Sequence, residues 1–291
     1  MSVSLLIPAL NEGDHLRRTV ECARALTPPE TEILVVDDGS SDGCADFLRV
    51  PGAPALLAAP EDDGARLGAA RARNKAAGLA RGDVLVFLDA HVDLEAGWLD
   101  ALLSALAEPG VGAAAPAIAV RGKPESVGYG LRWHSASLGI EWLPPASEHP
   151  YAVPLLPGAC IAIRRDVFLA CGGFDRNLVQ WGSEDAELSL RLWLLGYELR
   201  VVPAVVVGHL FRERHPYAVD WTAVVHNLLR VAFIHFTTQR TTRVIEAMKG
   251  YQHFAAALAL LAAGDVVTQR DFMRQHALRS DDAYFQRFGD I

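Results

Sequence analysis

Short runs of apolar residues alternate with amphipathic segments through the first third of the chain. The apolar runs predict β-strands at residues 3–7, 32–36, 55–58 and 84–88. Between them, residues 14–26 and 66–80 carry apolar positions with the spacing of a helix. Strands that are apolar on both faces and separated by helices are typical of a parallel sheet covered on both sides. We therefore expect an α/β, Rossmann-like fold with a mixed, mostly parallel sheet flanked by helices.

The pattern changes after the first third of the chain. The later segments are short strands and loops over residues 116–164, a helix over 182–195, and a strand over 198–207. From Thr222 onward the spacing is mostly helical. We expect residues 1–221 to form the core, and residues 222–291 to form a helical C-terminal extension packed on that core within the same structural domain.

Composition limits the classes of function and partner. Of the 291 residues, 51% are hydrophobic, and the formal net charge is −8, so nucleic acid is not an expected partner. The four cysteines show neither CxxC spacing nor a disulfide framework. The chain opens directly on a predicted strand, and its most apolar late run, residues 254–263, is about half as long as a transmembrane helix. We expect no transmembrane segment and a cytoplasmic location of bacterial type.

Three potential metal ligands follow two apolar strands that are far apart in the sequence. Asp89 and His91 stand two residues apart at the end of one predicted strand, and they point to the same side if the strand direction persists. His209 ends the other strand. One carboxylate and two imidazoles suit a divalent ion such as Mn²⁺, with Mg²⁺ as an alternative. An aspartate at a strand end is also a common turn residue, and the pattern alone leaves both interpretations open.

Several further motifs occur along the chain, and acidic residues again follow predicted strands, where ligands of parallel sheets bind. The motifs are, in order, Asn11-Glu12, Val36-Asp37-Asp38-Gly39-Ser40, Arg66 with Arg71 and Arg73, Phe87-Leu88-Asp89-Ala90-His91, Gly172-Gly173-Phe174-Asp175, Trp181-Gly182-Ser183-Glu184-Asp185, Val207-Gly208-His209-Leu210-Phe211-Arg212 with His215-Pro216-Tyr217, Asn227-Leu228-Leu229-Arg230, and the closing helices from Arg274 to Phe288. Together they resemble the catalytic domain of the polypeptide N-acetylgalactosaminyltransferases and, more broadly, the family 2 glycosyltransferases. The resemblance implies a GT-A fold and a UDP-sugar donor.

The resemblance also implies roles in donor binding. Asp38 would accept a hydrogen bond from the uracil imide, and Arg66 would pack its planar guanidinium against the uridine. Asp89 would act through the metal, and Glu184 would contact hydroxyl groups of the sugar. Without the resemblance, Asp38 is a turn-capping residue and Glu184 is ordinary acidic chemistry at a helix N-terminus.

Catalytic and loop roles are implied for residues on either side of the second metal-ligand segment. Arg212 matches an arginine that contacts phosphate, and His215 and Tyr217 match a flexible loop that closes over the donor and excludes water. Trp181 would couple this loop to the shape of the donor and acceptor sites. The plainer alternatives are a polar surface loop and a tryptophan that only packs.

The position of Asp185 bears on the stereochemistry of transfer. In the retaining enzymes that this chain resembles, the matching residue is an asparagine that contacts the sugar. In many inverting family 2 enzymes, a Glu-Asp pair here supplies the general base that deprotonates the acceptor. We favour retention on the whole set of motifs, and an inverting enzyme with Asp185 as the base is the alternative.

Three features depart from the family or carry no role. Ala9-Leu10 stands where the family has Phe-His, so one donor contact is missing. Pro157-Gly158-Ala159 stands where the family has Gly-Gly, and the added Cβ reduces the room for an N-acetylhexosamine. The identity of the sugar therefore stays open. We expect Arg71 and Arg73 to lie on the solvated face of their helix.

The favoured function is metal-dependent transfer of a sugar from a UDP-sugar to a hydroxyl or thiol of a peptide, glycan or small natural product. A non-catalytic nucleotide-sugar-binding protein is the alternative from another class. A nucleotidyltransferase is disfavoured, because residues 8–13 lack the glycine-rich, basic loop that holds a triphosphate. The acceptor and the oligomeric state cannot be predicted from the sequence.

Overall fold

A computed structural model describes residues 1–59 and 66–291 of the chain. The strands are, in chain order, β1 (Val3–Ala9), β2 (Glu32–Asp37), β3 (Leu56–Ala58), β4 (Val84–Leu88), β5 (Val92–Asp93), β6 (Val111–Val120), β7 (Lys123–Gly128), β8 (Leu131–Trp133), β9 (Ile140–Trp142), β10 (Tyr151–Ala152), β11 (Cys160–Arg164) and β12 (Glu198–His209). Every strand predicted in the first third of the chain is present close to its expected bounds.

The main sheet is mixed and mostly parallel, as predicted. Its strands follow the order β10-β12-β6-β11-β4-β1-β2-β3. Strand β1 pairs in parallel with β2 and β4, and β2 pairs in parallel with β3. Strand β11 runs antiparallel between β4 and β6, and β12 is parallel to β6. The carboxyl ends of β1, β2, β4 and β12 therefore meet at the same edge of the sheet.

The helices are α1 (Asp14–Ala25), α2 (Ala69–Leu79), α3 (Trp98–Leu106), α4 (Arg165–Ala170), α5 (Glu184–Leu194), α6 (Trp221–His235), α7 (Thr238–Met248), α8 (Phe254–Ala262), α9 (Val266–His276) and α10 (Asp281–Phe288). The predicted helices of the first and middle regions are confirmed as α1, α2 and α5. Helix α3 is not indicated by the sequence pattern. It has only 9 residues, and the structure is needed to show that Trp98 and Leu102 lie on its buried face.

Strand β4 shows how helices cover both faces of the sheet. It is buried over its whole length. Val86 and Leu88 pack in a cluster with side chains of α1 and α3. Leu85 and Phe87 point to the other face and pack with α2 and α5. This double burial explains why the strand is apolar at every position rather than at alternate ones.

The helices from α6 to α10 follow the last strand. Their buried side chains form a third cluster that includes Trp133 of β8 and Trp193 of α5. The first of these helices begins at Trp221, next to the expected boundary. The division into residues 1–221 and 222–291 stays a prediction. None of the helices within the described residues has the length and apolar character needed to cross a membrane.

A cluster of three aromatic side chains, Phe87, Phe168 and Phe174, packs on one face of the sheet and provides a test of the fold. Phe87 is fully buried, and its ring lies 5.1 Å from that of Phe168 and 5.0 Å from that of Phe174. We expect Phe87→Ala to lower the free energy of unfolding by about 3–5 kcal/mol, because the contacts are lost and a cavity remains. Leu79→Ala, at a half-exposed position of α2, should change it by only about 0.5 kcal/mol. Urea denaturation followed by circular dichroism measures both, and equal losses would contradict this packing.

Candidate active site

A cleft of about 830 Å³ opens at the carboxyl ends of the strands. Every predicted site residue lines this cleft, namely Asp38, Arg66, Asp89, His91, Trp181, Glu184, Asp185, His209, Arg212, His215 and Tyr217. The first and last of these residues are far apart in the sequence, and the order of strands in the sheet brings them together. The roles of the individual residues stay predictions, whereas their convergence in one cleft is observed.

The three predicted metal ligands form one cluster. Strand β4 ends at Leu88, and the chain passes through Asp89 and His91 into the short strand β5. Strand β5 pairs antiparallel with the end of β12, in a register that sets His209 opposite Val92. As a result, ligand atoms of the aspartate and both histidines all lie within 4.8 Å of one another.

The hydrogen bonds within this cluster fit a divalent metal. His91 Nδ1 lies 3.0 Å from Glu12 Oε2, which leaves Nε2 available as a ligand. His209 Nε2 lies 3.1 Å from Asp89 Oδ2, and its buried Nδ1 has no partner among the residues that the structure describes. Burial raises the pKa of Asp89, but the His209 hydrogen bond and the charge of Arg73 outweigh it and hold that pKa well below its usual range. The ionised carboxylate and two imidazoles form a mixed oxygen and nitrogen set that suits Mn²⁺.

Arg73 is buried, contrary to the solvated position expected from the sequence. It is 4% exposed, and its guanidinium donates to Glu184 Oε1 at 2.8 Å and to Asp89 Oδ1 at 2.9 Å. The expectation of a solvated position was wrong because Arg73 lies on the same helical face as Ala70 and Ala77, which packs on the sheet. Only Arg71, two positions earlier, is exposed as expected.

The start of α5 carries two acidic residues in different environments. Glu184 Oε2 accepts from the backbone N–H of Gly182 at 2.9 Å, and its other oxygen faces the buried arginine. Asp185 Oδ2 accepts from the N–H of Gly158 at 2.9 Å, and Oδ1 accepts from the N–H of Ala186 at 2.8 Å. Burial, followed by the negative charge of Glu184, raises the pKa of Asp185 to about 6. Asp185 therefore holds the loop before β11 and is also unusually basic for an aspartate.

Asn227 of α6 holds the loop that carries Trp181 in place through hydrogen bonds to its backbone. This fully buried amide accepts from Val179 N–H at 2.9 Å and donates to the carbonyls of Val179 and Gly182 at 3.0 and 2.9 Å. The loop needs that support because Gln180 has a left-handed backbone, with φ of 55°. Trp181 is 36% exposed in the cleft.

The segment after β12 closes one side of the cleft. The ring of His215 lies 4.6 Å from that of Trp181 and 5.4 Å from that of Tyr217. The guanidinium of Arg212 donates to the Glu12 carboxylate. Burial, followed by the charge of Arg212, lowers the pKa of His215. Burial and, after it, the charge of a nearby glutamate raise the pKa of Tyr217 to about 12, so the phenol stays protonated at neutral pH.

Asp38 follows β2 and accepts hydrogen bonds from the two residues directly before α2. Its Oδ1 accepts from the N–H of Leu67 at 2.6 Å, and its Oδ2 accepts from the N–H of Gly68 at 2.9 Å. Burial raises the pKa of Asp38, and these two hydrogen bonds partly offset that effect. The contacts are those of a capping residue, and binding of a uracil by the remaining lone pairs stays a prediction. Arg66 is exposed at the edge of the cleft beside it.

The departures from the family also line the cleft. Ala9 and Leu10 lie at the end of β1, and Ala159 lies between Gly158 and β11. The carbonyl of Ala159 accepts from the N–H of Asp89 at 3.0 Å, so the backbone of this segment borders the metal cluster. Three polar residues that hold the site, Glu12, Arg73 and Asn227, have no role that the sequence alone suggests. The sequence signal for them is that each belongs to one of the motifs shared with the resembling family, which gave no role for the side chain.

The buried arginine can be tested against its exposed neighbour in the same helix. We expect Arg73→Met to lower the free energy of unfolding by about 3–5 kcal/mol, because the buried carboxylate of Glu184 and the partly buried carboxylate of Asp89 lose their counter-charge. Arg71→Met, a matched control, should change it by about 0.5 kcal/mol or less. Chemical denaturation at neutral pH compares the two variants. Similar stabilities would mean that Arg73 does not neutralise Asp89 and Glu184.

Comparisons with known proteins identify the family of the chain. A family model described as glycosyl transferase family 2 matches residues 4–171, more than half of the chain. Another, described as the N-terminal domain of galactosyltransferase, matches residues 145–216. Polypeptide N-acetylgalactosaminyltransferase 8 of Drosophila melanogaster is 35% identical over 230 residues, covering 73% of this chain and 38% of that protein. Polypeptide N-acetylgalactosaminyltransferase 10 of Homo sapiens is 30% identical over 292 residues, covering 92% of this chain and 46% of that protein.

Two solved structures share the fold. The structure of GalNAc-T7 with UDP, GalNAc and Mn²⁺ has a TM-score of 0.83 at 24% identity, covering 99% of this chain and 57% of that chain. Mannosyltransferase PcManGT from Pyrobaculum calidifontis, in complex with GDP-Man and Mn²⁺, has a TM-score of 0.55 at 19% identity, covering 99% and 76%. The chain spans less than half of the length of the two curated relatives. From the family match and the fold, the chain belongs to glycosyl transferase family 2 and has the GT-A fold.

Proposed function

We propose that this protein is a metal-dependent glycosyltransferase that moves a sugar from a UDP-sugar to an acceptor hydroxyl or thiol. The observation that carries the proposal is the convergence of Asp89, His91 and His209 in the same cleft as Asp38 and Arg66. The solved relatives hold Mn²⁺ with UDP or with GDP-Man, which supports a nucleotide and a metal here. The acceptor would be a peptide, a glycan or a small natural product.

Two kinds of positive charge would serve the diphosphate leaving group. Asp89, His91 and His209 would hold Mn²⁺, or Mg²⁺ as the alternative, and the bound ion neutralises charge on the diphosphate. Arg212 brings a guanidinium to the same cleft and would contact phosphate directly. The protonated phenol of Tyr217 and the ring of His215 would cover the donor, so that water, a competing acceptor, is excluded.

The remaining cleft residues would orient the donor. Asp38 would accept from the uracil imide, and Arg66 would lie against the base. Glu184 would contact sugar hydroxyls. The hydrogen bond from Arg73 supports this role, since it holds the Glu184 carboxylate in one orientation. Trp181 would link the covering loop to the sugar site through its contact with His215. The sugar itself is left open, because Ala159 stands where the resembling enzymes have glycine.

We favour transfer with retention of configuration. In that mechanism the acceptor proton passes to the departing diphosphate, and Asp185 only holds the sugar and the loop. Both Asp185 oxygens accept backbone N–H groups, from Gly158 and Ala186, which supports a holding role. The alternative is inversion with Asp185 as general base. The observation in favour of inversion is the pKa of Asp185, which is raised to about 6.

A protein that binds a nucleotide sugar without catalysis is the alternative from another class. The two are separated by a thermal-shift screen of UDP-sugars with Mn²⁺, followed by donor hydrolysis with and without Mn²⁺. We expect at least one UDP-sugar to raise the melting temperature only with the metal, and to be slowly hydrolysed. Binding without any hydrolysis or transfer would favour the non-catalytic protein.

The metal cluster is tested by His209→Ala. We expect the dissociation constant for Mn²⁺ to rise by more than about tenfold, because one of three protein ligands is lost, and UDP binding to lose its metal dependence. The control is His276→Ala, on an exposed turn of α9 outside the cleft. Isothermal titration calorimetry measures both constants, with circular dichroism to verify the fold. Unchanged Mn²⁺ and UDP binding in His209→Ala would rule out this cluster as the metal site.

The role of Asp185 is tested by Asp185→Asn. If it holds the sugar, turnover should stay near normal, and NMR should show an α-linked product from an α-linked donor. If it is the general base, turnover should fall by about 10²–10⁴-fold. Such a base acts when ionised, so the wild-type rate would rise with pH through about 6 and the variant would lose that rise. A β-linked product would overturn retention.

A further inference from the structure

The Asn11-Glu12 motif follows β1 and has no part in the function as proposed so far. Glu12 is a buried carboxylate, 7% exposed, in the wall of the cleft. One of its oxygens, Oε2, meets two partners from distant parts of the chain. His91 Nδ1 lies 3.0 Å away, and an Arg212 guanidinium nitrogen donates to the same oxygen. A single buried oxygen therefore contacts both the metal cluster and the covering loop, which comprises residues 212–217.

The contact with His91 has a direct chemical consequence. An imidazole has two nitrogens, and the hydrogen bond made by one decides which of them is available to a metal. A carboxylate beside Nδ1 favours a proton on that nitrogen, because a negatively charged acceptor binds an N–H donor. The lone pair is then on Nε2. Glu12 thus fixes both the tautomer and the orientation of the ring.

The contacts with the loop are made by Glu12 and its neighbour together. Glu12 holds Arg212, and Asn11 Nδ2 donates to the carbonyl of Pro216 at 3.4 Å. Asn11 reaches this position from a left-handed backbone with φ of 54°, which asparagine tolerates better than most residues. Two consecutive residues therefore fasten both ends of the segment from Arg212 to Pro216.

The turn after β1 does not need the Glu12 side chain for its own shape. The N–H of Asn11 donates to Ser40 Oγ at 2.9 Å, and the N–H of Gly13 donates to Asp42 Oδ2 at 2.8 Å. The backbone carbonyl of Glu12, rather than its carboxylate, accepts from the N–H of His15 at 3.2 Å. The turn is set by these groups, which leaves the carboxylate free for the contacts across the cleft.

We propose that Glu12 is a positioning residue that joins the metal site to the covering loop. Its carboxylate orients His91 for the metal and anchors Arg212, so that both parts of the donor site depend on one side chain. This inference rests on the proposed function, since it presumes that His91 is a metal ligand. It assigns Glu12 no direct contact with the donor.

The test is Glu12→Gln, which keeps the size of the side chain and removes its charge. Calorimetry with Mn²⁺ alone measures the metal site. Limited trypsin digestion of the metal-free protein measures the loop, as the rate of cleavage after Arg214, read by mass spectrometry. Asp14→Asn is the matched control, because it alters an exposed carboxylate two residues from Glu12 that lies outside the cleft. Arg212→Met separates the two contacts.

For Glu12→Gln we expect a rise of about tenfold or more in the Mn²⁺ dissociation constant, the usual cost of losing a carboxylate that orients a ligand histidine. We also expect faster cleavage after Arg214. Arg212→Met should speed cleavage and leave Mn²⁺ binding unchanged, and Asp14→Asn should change neither. Glu12→Asp, which keeps the charge on a shorter side chain, should show both defects and serves if the glutamine variant does not fold.

Two results would overturn the inference. If wild type binds Mn²⁺ and Glu12→Gln binds it equally well, or is cleaved no faster, Glu12 does not join the two parts. If wild type itself binds no Mn²⁺, the metal site of the proposed function fails, and this inference fails with it. The two failures are distinguished by the wild-type titration.

Discussion

The arrangement of the cleft depends on one buried cation. Asp89, Glu184 and Asp185 gather at the edge of the sheet, and carboxylates removed from water repel one another unless they are paired. Arg73 lies between the first two and donates to each at hydrogen-bonding distance. Because α2 supplies the arginine, the residue directly after β4 is the aspartate and α5 supplies the glutamate, the same ion pairs also fix these three elements relative to one another.

The rest of the site is assembled by long-range contacts of the same kind, each satisfying a buried polar group. The pairing of β5 with β12 carries His209 to Asp89. Asn227 supplies the hydrogen bonds that the Trp181 loop cannot make internally, and Glu12 does so for His91 and Arg212. Buried polar groups without partners are costly, so these contacts also limit which sequences can build the cleft.

Asp185 differs from its acidic neighbour although the two are adjacent in sequence. Glu184 forms a direct ion pair with the buried guanidinium, whereas Asp185 accepts backbone N–H groups, feels the repulsion of Glu184 and is stabilised less by the more distant charge of Arg73. The same backbone contacts tie Asp185 to the Gly158 segment. One carboxylate thus combines high basicity with a fixed position, the two properties on which retaining and inverting mechanisms make different demands.

Much of the fold and the identity of the cleft residues could be predicted from the sequence alone. Apolar runs mark the strands because both faces of the sheet are covered, and acidic or histidine residues directly after them mark the edge where ligands bind. The strand ends therefore indicated Asp38, Asp89 and His209 without knowledge of their partners. The helices that follow β12 were equally visible as a change in spacing.

The partners themselves were decided by tertiary structure. Helical spacing gives the face on which Arg73 lies, but only the packing of α2 shows that this face ends over two carboxylates rather than in solvent. The double contact of Glu12 spans 79 residues to His91 and 200 residues to Arg212. No local pattern records such distances, because they depend on the order of strands in the sheet. The sequence determined which residues reach the cleft, and the fold alone determined which of them neutralise and orient one another.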